Sequence, residues 1–274
     1  MHRLKYVSAR REEVELDGEL AWSGTAGGVR GRAWTYKLGR RGATGMSLDA
    51  RKAELDTVFL DAREADRLRR LADRDLRERT PGTLVVGGEW SRTCYIVASE
   101  PSDIFAGHHK ERMTVALLGS GWRRERLHRF AIREHQASDG GYDYRHDWGL
   151  DYMRGPEPRF IDGGMLGESD FRLVVFGPVS NPSVTIGGNV YSLRCDVPAG
   201  GHVVVDSTDC TIVAVTRQGA LSNAFKAGER GGGKGGGRYI FQPIPEGVLD
   251  VSASGEFGFD LVVYESESEP PWSA

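Results

Sequence analysis

The chain has 274 residues, of which 39% are hydrophobic and 27% charged, and its formal net charge is −3. This length allows two domains or one large domain, and the composition excludes an intrinsically disordered chain. No apolar run approaches the roughly 18 residues of a membrane helix. The N-terminal stretch is charged where a signal peptide would be apolar, so we expect a protein made and folded in a cytoplasm.

The charge is distributed unevenly along the chain. Residues 1–130 contain 25 basic and 19 acidic residues, whereas residues 131–274 contain 11 and 20. This asymmetry has two interpretations: two solvated surfaces of different composition, or two halves that face different partners. The basic residues form no dense patch, so the sequence predicts no specific nucleic-acid binding.

Three cysteines, Cys94, Cys195 and Cys210, are odd in number and show no C-x-x-C spacing. The sequence therefore predicts reduced core residues rather than a disulfide or zinc framework.

The first half reads as an α+β domain with a single helix. Asp61 is a suitable N-cap, and Ala65, Leu68, Ala72 and Leu76 recur at helical spacing after it. Strands and turns surround this helix, which is typical of one helix packed on a small sheet or barrel. The predicted elements are a hairpin over Glu13–Leu20, strands over Ala33–Leu38 and Ala53–Leu60, the helix from Ala62 to about Arg79, a hairpin over Thr83–Ala98, a loop over Glu100–His109 and a strand over Met113–Leu118.

Between the two early strands lies Gly39–Met46, with the sequence GRRGATGM. Three glycines and two arginines make this segment too polar for a core, so it is predicted to be a projecting loop.

The second half reads as an antiparallel β domain. Phe171, Leu173 and Val175 alternate with less buried positions, which is the period of a strand with one buried face. Gly187-Gly188 then suits the positive φ angles of a two-residue hairpin turn between two short β-prone runs. Further strands are predicted near Val203–Val205, Thr211–Thr216, Gly247–Val251 and Phe257–Tyr264, with another beginning near Tyr239 and an extended acidic tail over Glu265–Ala274.

An aromatic strand is predicted over Tyr142–Met153, with tyrosines, His146 and Trp148 on one face and acids on the other. Its aromatic residues suit a domain core, and the acids a solvated face. A metal site or a sugar platform is the alternative, but His and Asp would point to opposite faces of one strand.

One phosphate-binding motif is rejected. Gly228, Gly233 and Lys234 satisfy G-x-x-x-x-G-K, but Gly235 follows where a P-loop has Ser or Thr, and no helix is predicted next. The Gly228–Gly237 segment is instead predicted to be a flexible basic loop. No nucleophile elbow or paired carboxylates stand out, so no catalytic residue, metal or cofactor is predicted.

The order of these elements resembles the distal tail (Dit) proteins of long-tailed bacteriophages. In the first half the resemblance rests on Gly31–Tyr36, the Asp61–Arg79 helix, Pro81-Gly82 and the Val115–Trp122 stretch with which the predicted first domain ends. In the second half it rests on Gly177-Pro178, Asn181-Pro182 with the following hairpin, Ile240–Gly247 and the closing Phe257–Tyr264 strand. These motifs are glycines, prolines and aromatics, so the resemblance lies in their order.

The resemblance implies a mainly β protein of two domains. Residues 1–126 would form a ring-forming split β-barrel with one helix, and residues 127–274 a galectin-like β-sandwich. It implies a structural tail-tip or baseplate adaptor in the virion. The partners that it implies are further copies in a six-membered ring, the tail tube protein, the tail-tip hub and receptor-binding proteins. Arg40, Arg41, Thr44 and Met46 are then candidate inter-subunit contacts, and the helix arginines are candidates for stacking contacts.

Two other functions remain open at this point. A galectin-like domain suggests a carbohydrate-binding module for host attachment, although His202 is followed by three valines rather than by the His-x-Asn-x-Arg signature. A tail-tip hydrolase is the third possibility, and it lacks a plausible pair of carboxylates.

Overall fold

A computed structural model describes residues 3–105, 108–119, 121–131, 159–164 and 167–271. The chain divides into two compact units, which are Met1–Arg124 with Ser266–Ala274, and Glu125–Glu265. Both consist mainly of antiparallel strands, which confirms the predicted mainly β fold class. The aromatic strand predicted over Tyr142–Met153 lies outside the described residues.

Unit 1 combines ten strands with one long and one short helix. In chain order they are β1 (Leu4–Val7), β2 (Glu13–Glu15), β3 (Ala21–Trp22), α1 (Gly27–Arg30), β4 (Thr35–Gly39), β5 (Gly42–Ser47), β6 (Arg51–Phe59), α2 (Ala62–Glu78), β7 (Gly82–Val86), β8 (Trp90–Phe105), β9 (His108–Leu117) and β10 (Trp122–Phe130), the last of which continues into unit 2.

Strand β8 organises this unit. It pairs with β7 along its first residues and with β9 along most of its remaining length. The ladder extends from β7 through β1 to β2, and from β9 through β6 to β3, always antiparallel. The inward residues of these strands and of α2 form one apolar core.

Helix α2 forms where the sequence predicts it. Asp61 adopts an extended conformation at the N-cap and accepts a hydrogen bond from the Arg63 backbone N–H at 2.9 Å. Arg79 ends the helix in the left-handed conformation. Its apolar stripe, which includes Leu68 and Leu71, is buried against the sheet. Full burial of one such leucine contributes about 1.5–3 kcal/mol.

Unit 2 is built from short strands. After the end of β10 come β11 (Arg159–Asp162), β12 (Asp170–Phe176), β13 (Val179–Ser180), β14 (Ser183–Ile186), β15 (Asn189–Ser192), β16 (Asp196–Val197), β17 (His202–Asp206), β18 (Thr211–Val215), β19 (Leu221–Asn223), a 3-10 turn over Phe225–Ala227, β20 (Val248–Ala253) and β21 (Phe259–Glu267), whose last residues belong to unit 1.

Two sheets of unit 2 enclose its core. One has the order β19-β18-β17-β12-β21, and the other has the order β11-β20-β14-β15. Phe171, Leu173 and Val175 are buried, as their alternation predicts. Gly187 and Gly188 have φ angles of 53° and 83° and connect β14 to β15, which confirms the predicted hairpin.

Five local predictions were wrong. Cys210 is exposed rather than part of a core. Glu13–Leu20 is not a hairpin, because β2 pairs with β1 and β3 pairs with β6. Gly39–Met46 is not a loop but most of a β-hairpin. Glu100–His109 is largely strand, because β8 and β9 remain paired as far as Phe105 and His108. No strand begins at Tyr239, where the chain turns while burying Ile240 and Phe241.

The C-terminal segment also differs from expectation, because the structure groups Ser266–Ala274 with unit 1 rather than with residues 127–265. Two hydrogen bonds from the described part of this segment to residues of unit 1 account for the grouping. The buried Arg30 side chain donates to the Pro271 carbonyl at 3.2 Å, and the Arg32 backbone N–H donates to the Glu269 carboxylate at 3.3 Å. These contacts hold the tail on the segment that follows α1.

Candidate interaction surface

The hairpin of β4 and β5 carries all four candidate contact residues, and we call residues 34–47 the arm. Leu38 faces Ala43 and Gly39 faces Gly42, so Arg40 and Arg41 form the two-residue turn at its tip. Thr44 lies opposite Lys37 and its hydroxyl donates to the Lys37 carbonyl at 3.4 Å. A bulge between Thr35 and Lys37 shifts the register nearer the base of the arm.

The arm exposes unusually large apolar side chains. Trp34, Tyr36 and Leu38 are 51%, 56% and 78% exposed, and Met46 is 63% exposed. Alternation along the strand places Trp34, Tyr36 and Leu38 on one face. Every residue from 32 to 46 is exposed, so the described part of the chain leaves more than half of each of these apolar side chains uncovered.

The arm is also cationic. Residues 32–48 contain four basic residues, Arg32, Lys37, Arg40 and Arg41, and no acidic one. Among the described residues, no ion pair or hydrogen bond engages the Arg40 and Arg41 side chains. An apolar face with a cationic tip suits a partner surface that is apolar and acidic.

The physical chemistry of the arm also indicates a partner. An isolated two-stranded hairpin is marginally stable in water. Both strands of the arm pair only with each other among the described strands, so each leaves an open edge. Contact with another molecule would cover the apolar face and stabilise the hairpin. The alternation of Trp34, Tyr36 and Leu38 in the sequence already indicated the apolar face. The glycines and arginines that follow predicted a loop, so the second strand of the hairpin was missed.

The interior of unit 1 contains polar groups that hold α2 to β1. Asp75 on α2 is completely buried and accepts hydrogen bonds from the Tyr6 hydroxyl at 2.7 Å and from the Ala9 backbone N–H at 3.1 Å. Burial and the neighbouring Asp75 carboxyl raise the pKa of Tyr6, which therefore stays a hydrogen-bond donor. Asp75 is the one polar residue of α2 that is buried.

Strands β8 and β9 each carry a buried charged side chain. Arg92 is 2% exposed and donates to the carbonyls of Leu118 and Gly119, each at 3.3 Å. Glu111 is fully buried with the Arg69 Nε and His109 Nε2 atoms each 3.9 Å from one of its oxygens. A nearby cavity of about 50 Å³ between α2 and β8 is small beside ordinary ligand sites of roughly 300–1,000 Å³.

A cluster of charges lies around β10 and β21 in unit 2. Arg126 contacts Asp162 at 2.9 Å and Glu265 at 2.8 Å. The backbone N–H of Gly164 and the Arg126 guanidinium lower the pKa of Asp162. Burial, together with Arg126, lowers the pKa of His128, whose Nε2 atom is buried without a hydrogen-bond partner in the part of the chain that is described.

The Gly228–Gly237 segment is tied to unit 2. Lys234 lies 3.0 Å from Glu168, the Gly235 N–H donates to the Gln242 side chain at 2.7 Å, and Val190 N–H donates to the Gly237 carbonyl at 2.9 Å. The segment is followed by turns rather than by a helix, so it lacks the helix N-terminus of a P-loop.

The described side chains that could take part in catalysis, metal binding or sugar binding are dispersed. Burial raises the pKa of Cys94 to about 12, so its thiol is protonated at neutral pH. Within the described residues, no group of three or more His, Cys, Asp and Glu side chains could hold a metal ion, and no helix is long and apolar enough to cross a membrane. His202 lies on β17 beside Phe176, with ring centroids 6.1 Å apart, and sequence neighbours Val203–Val205 complete no galectin signature.

No protein-family model matches the chain, and no curated protein matches it in sequence. Its structure is similar to a chain of the phage P2 baseplate in its activated conformation with calcium, with a TM-score of 0.62 and 10% identity, covering 98% of this chain and 100% of that one. It is also similar to SPP1 Dit, with a TM-score of 0.57 and 13% identity, covering 97% and 99%. The SPP1 protein is described as a paradigm of the hub adsorption apparatus in phages that infect Gram-positive bacteria. These likenesses concern the fold, and they confirm the predicted resemblance to the Dit fold over nearly the whole chain.

Proposed function

We propose that this chain is a structural adaptor of a phage tail tip or baseplate. Copies would assemble through unit 1 into a ring, six-membered as the Dit resemblance implies, that joins the tail tube to the tail-tip hub in the virion. Its partners are further copies of itself, the tube protein and the hub protein, with receptor-binding proteins as additional neighbours. The role is one of assembly and requires no catalysis, metal or cofactor.

One observation carries this proposal. The fold of SPP1 Dit is shared across 97% of this chain and 99% of that chain, so both units take part in the match. A single shared domain would suggest only a common module. A match of both units in one chain supports a common type of tail component.

The arm supports the ring in particular. Its apolar side chains are more than half exposed, and Arg40, Arg41, Thr44 and Met46 lie along the same exposed hairpin. Head-to-tail contacts of this kind close into rings when the rotation between copies is right. We propose that these four residues contact a neighbouring copy.

The two units would divide the work. Unit 1 would hold the ring and make stacking contacts through the helix arginines, and unit 2 would be a separate folded module. The original division into residues 1–126 and 127–274 is proposed here with one amendment, which is that residues 266–274 accompany unit 1. Each unit has its own apolar core, so each can fold by itself.

The test is a concentration series of the purified full chain, followed by light scattering and negative-stain imaging, alone and with the tail tube protein. We expect closed rings, and replacement of Gly39–Met46 by a two-glycine turn should leave both units folded and abolish the rings. A matched control replaces Gly231–Gly236 of unit 2 in the same way and should retain them. A protein that stays monomeric at every concentration, with and without the tube protein, would contradict the proposal.

A further inference from the structure

The described part of unit 1 carries a second exposed apolar surface, at the edge of its main sheet. Leu20, Trp22 and Leu60 are 48%, 63% and 46% exposed, and we call these three residues the edge patch. They lie close together because the Leu60 backbone N–H donates to the Leu20 carbonyl at 2.9 Å and Trp22 pairs with Val58. Strand β3 pairs only with β6 among the described strands, so the patch lies at an open edge.

The charge around the edge patch is opposite to that of the arm. The sequence from Asp17 to Val29 contains two acidic residues, Asp17 and Glu19, and no basic one. Glu19 is exposed and precedes Leu20 directly. The arm presents apolar side chains with only basic charges, whereas the segment that carries Leu20 and Trp22 holds only acidic charges. Complementary charge of this kind favours association and fixes orientation.

The two surfaces do not cover each other within one chain, since all arm residues up to Met46 and the whole patch are exposed. They are also different surfaces of the same unit. A contact between the arm of one copy and the patch of the next is therefore heterologous, which is the kind of contact that propagates around a ring.

We infer that the edge patch is the docking surface for the arm of a neighbouring copy, with Trp22 as its central contact. The inference rests on the proposed function, because it specifies the second surface of the proposed ring contact. Tryptophan is enriched among the few residues that dominate binding energy at interfaces. Truncating Trp22 to alanine should therefore raise the concentration at half-assembly about tenfold or more, whereas Leu221→Ala on the exposed β19 should leave it unchanged.

The decisive experiment is disulfide trapping between two chains. Both carry Cys210→Ser to remove the exposed native thiol. One carries Leu38→Cys and the other Leu20→Cys, which keeps Trp22 in the edge patch, so a disulfide between the two kinds of chain can form only between molecules. A matched control pairs the Leu38→Cys chain with a Leu221→Cys chain. We expect covalent heterodimers with Leu20→Cys and none with Leu221→Cys.

The outcomes separate this inference from the proposed function. Rings that form without a disulfide between the Leu38→Cys and Leu20→Cys chains, or that tolerate Trp22→Ala, would overturn the inference and leave the ring proposal intact. A chain that remains monomeric throughout, including with the tube protein, would overturn both.

Discussion

Two of the β-hairpins, the arm and the hairpin of β14 and β15, differ in whether their apolar side chains are buried. In the hairpin of β14 and β15, Val184, Ile186 and Tyr191 are buried in the core of unit 2. In the arm, Trp34, Tyr36 and Leu38 have equally apolar side chains, yet all are exposed. The difference shows that alternation and a short turn specify a hairpin, whereas the surface it packs against is specified elsewhere. No surface in the described part of the chain buries the arm in this way.

The largest expected effect comes from truncating one apolar side chain in each hairpin. Ile186→Ala should lower the free energy of unfolding of unit 2 by about 2–5 kcal/mol, because it leaves a cavity in a packed core. Leu38→Ala should change the stability of unit 1 by less than about 0.5 kcal/mol and should weaken assembly instead. Hydrogen exchange resolved by peptide reports on each unit separately. Equal losses of stability in the two variants would remove the distinction between the hairpins.

Removing the tail sharpens the contrast between the units. A chain that ends at Glu267 loses the Pro271 carbonyl that accepts from the buried Arg30 side chain. Hydrogen bonds to charged groups are worth about 1.5–3 kcal/mol, so unit 1 should be destabilised by about that amount. Hydrogen exchange should increase in unit 1 and stay unchanged in unit 2. Faster exchange confined to unit 2 would contradict the assignment of the tail.

A smaller effect is expected from removing one hydroxyl group in each hairpin. The Tyr191 hydroxyl donates to the Gln242 carbonyl at 2.8 Å in a buried setting. Tyr191→Phe should therefore cost about 0.5–1.5 kcal/mol of unit 2 stability. Tyr36→Phe in the arm should have no measurable effect on folding. Urea denaturation of the two variants checks this pair, and an unaffected Tyr191→Phe protein would argue against the buried hydrogen bond.

The charges at the tip of the arm should act on assembly and leave folding unchanged. Exchanging Arg40 and Arg41 for glutamate should slow association, and each change should weaken it by at most about 1 kcal/mol at low salt. The wild-type protein should itself assemble more slowly as salt is raised. Light-scattering kinetics at two salt concentrations provide the measurement, with Arg217→Glu in unit 2 as the control. Assembly rates that depend on neither the salt concentration nor the substitutions would show that the tip makes no charged contact.

The smallest effect concerns pH and unit 2. Burial lowers the pKa of His128, so the unfolded chain binds this proton more readily than the folded one. The stability that unit 2 has with a neutral His128 is therefore complete above the ordinary histidine pKa of 6.5, and it is lost as pH falls below that value.

Denaturation between about pH 7.5 and about pH 5 should show unit 2 weakening, and His128→Gln should flatten the profile. Because the pKa of Asp162 is lowered, the stabilisation that its ionised carboxylate provides is lost only at more acidic pH, below about 4. The effects of His128 and Asp162 therefore occur in separate pH ranges. A profile that is identical with and without His128 would assign the pH dependence to another group.

The sequence by itself determined the elements that depend on local pattern. Helix α2 follows from its N-cap Asp61 and its apolar spacing, and the β14–β15 hairpin follows from Gly187-Gly188 between β-prone runs. Each signal lies within a few residues of the structure it specifies. The mainly β class and the order of elements that supports the Dit resemblance are sums of such local signals.

Tertiary structure alone decided which surfaces meet. It brought Asp75 within hydrogen-bond distance of Tyr6, from which it is separated by 69 positions in the sequence. It likewise brought Pro271 to Arg30, which lies 241 positions away. It also left the arm and the edge patch exposed, although their apolar residues resemble those of a core. The physical reason is that burial depends on which distant segments pack together, and no local pattern encodes that. The same reason makes the contact between arm and patch a question for the assembled protein.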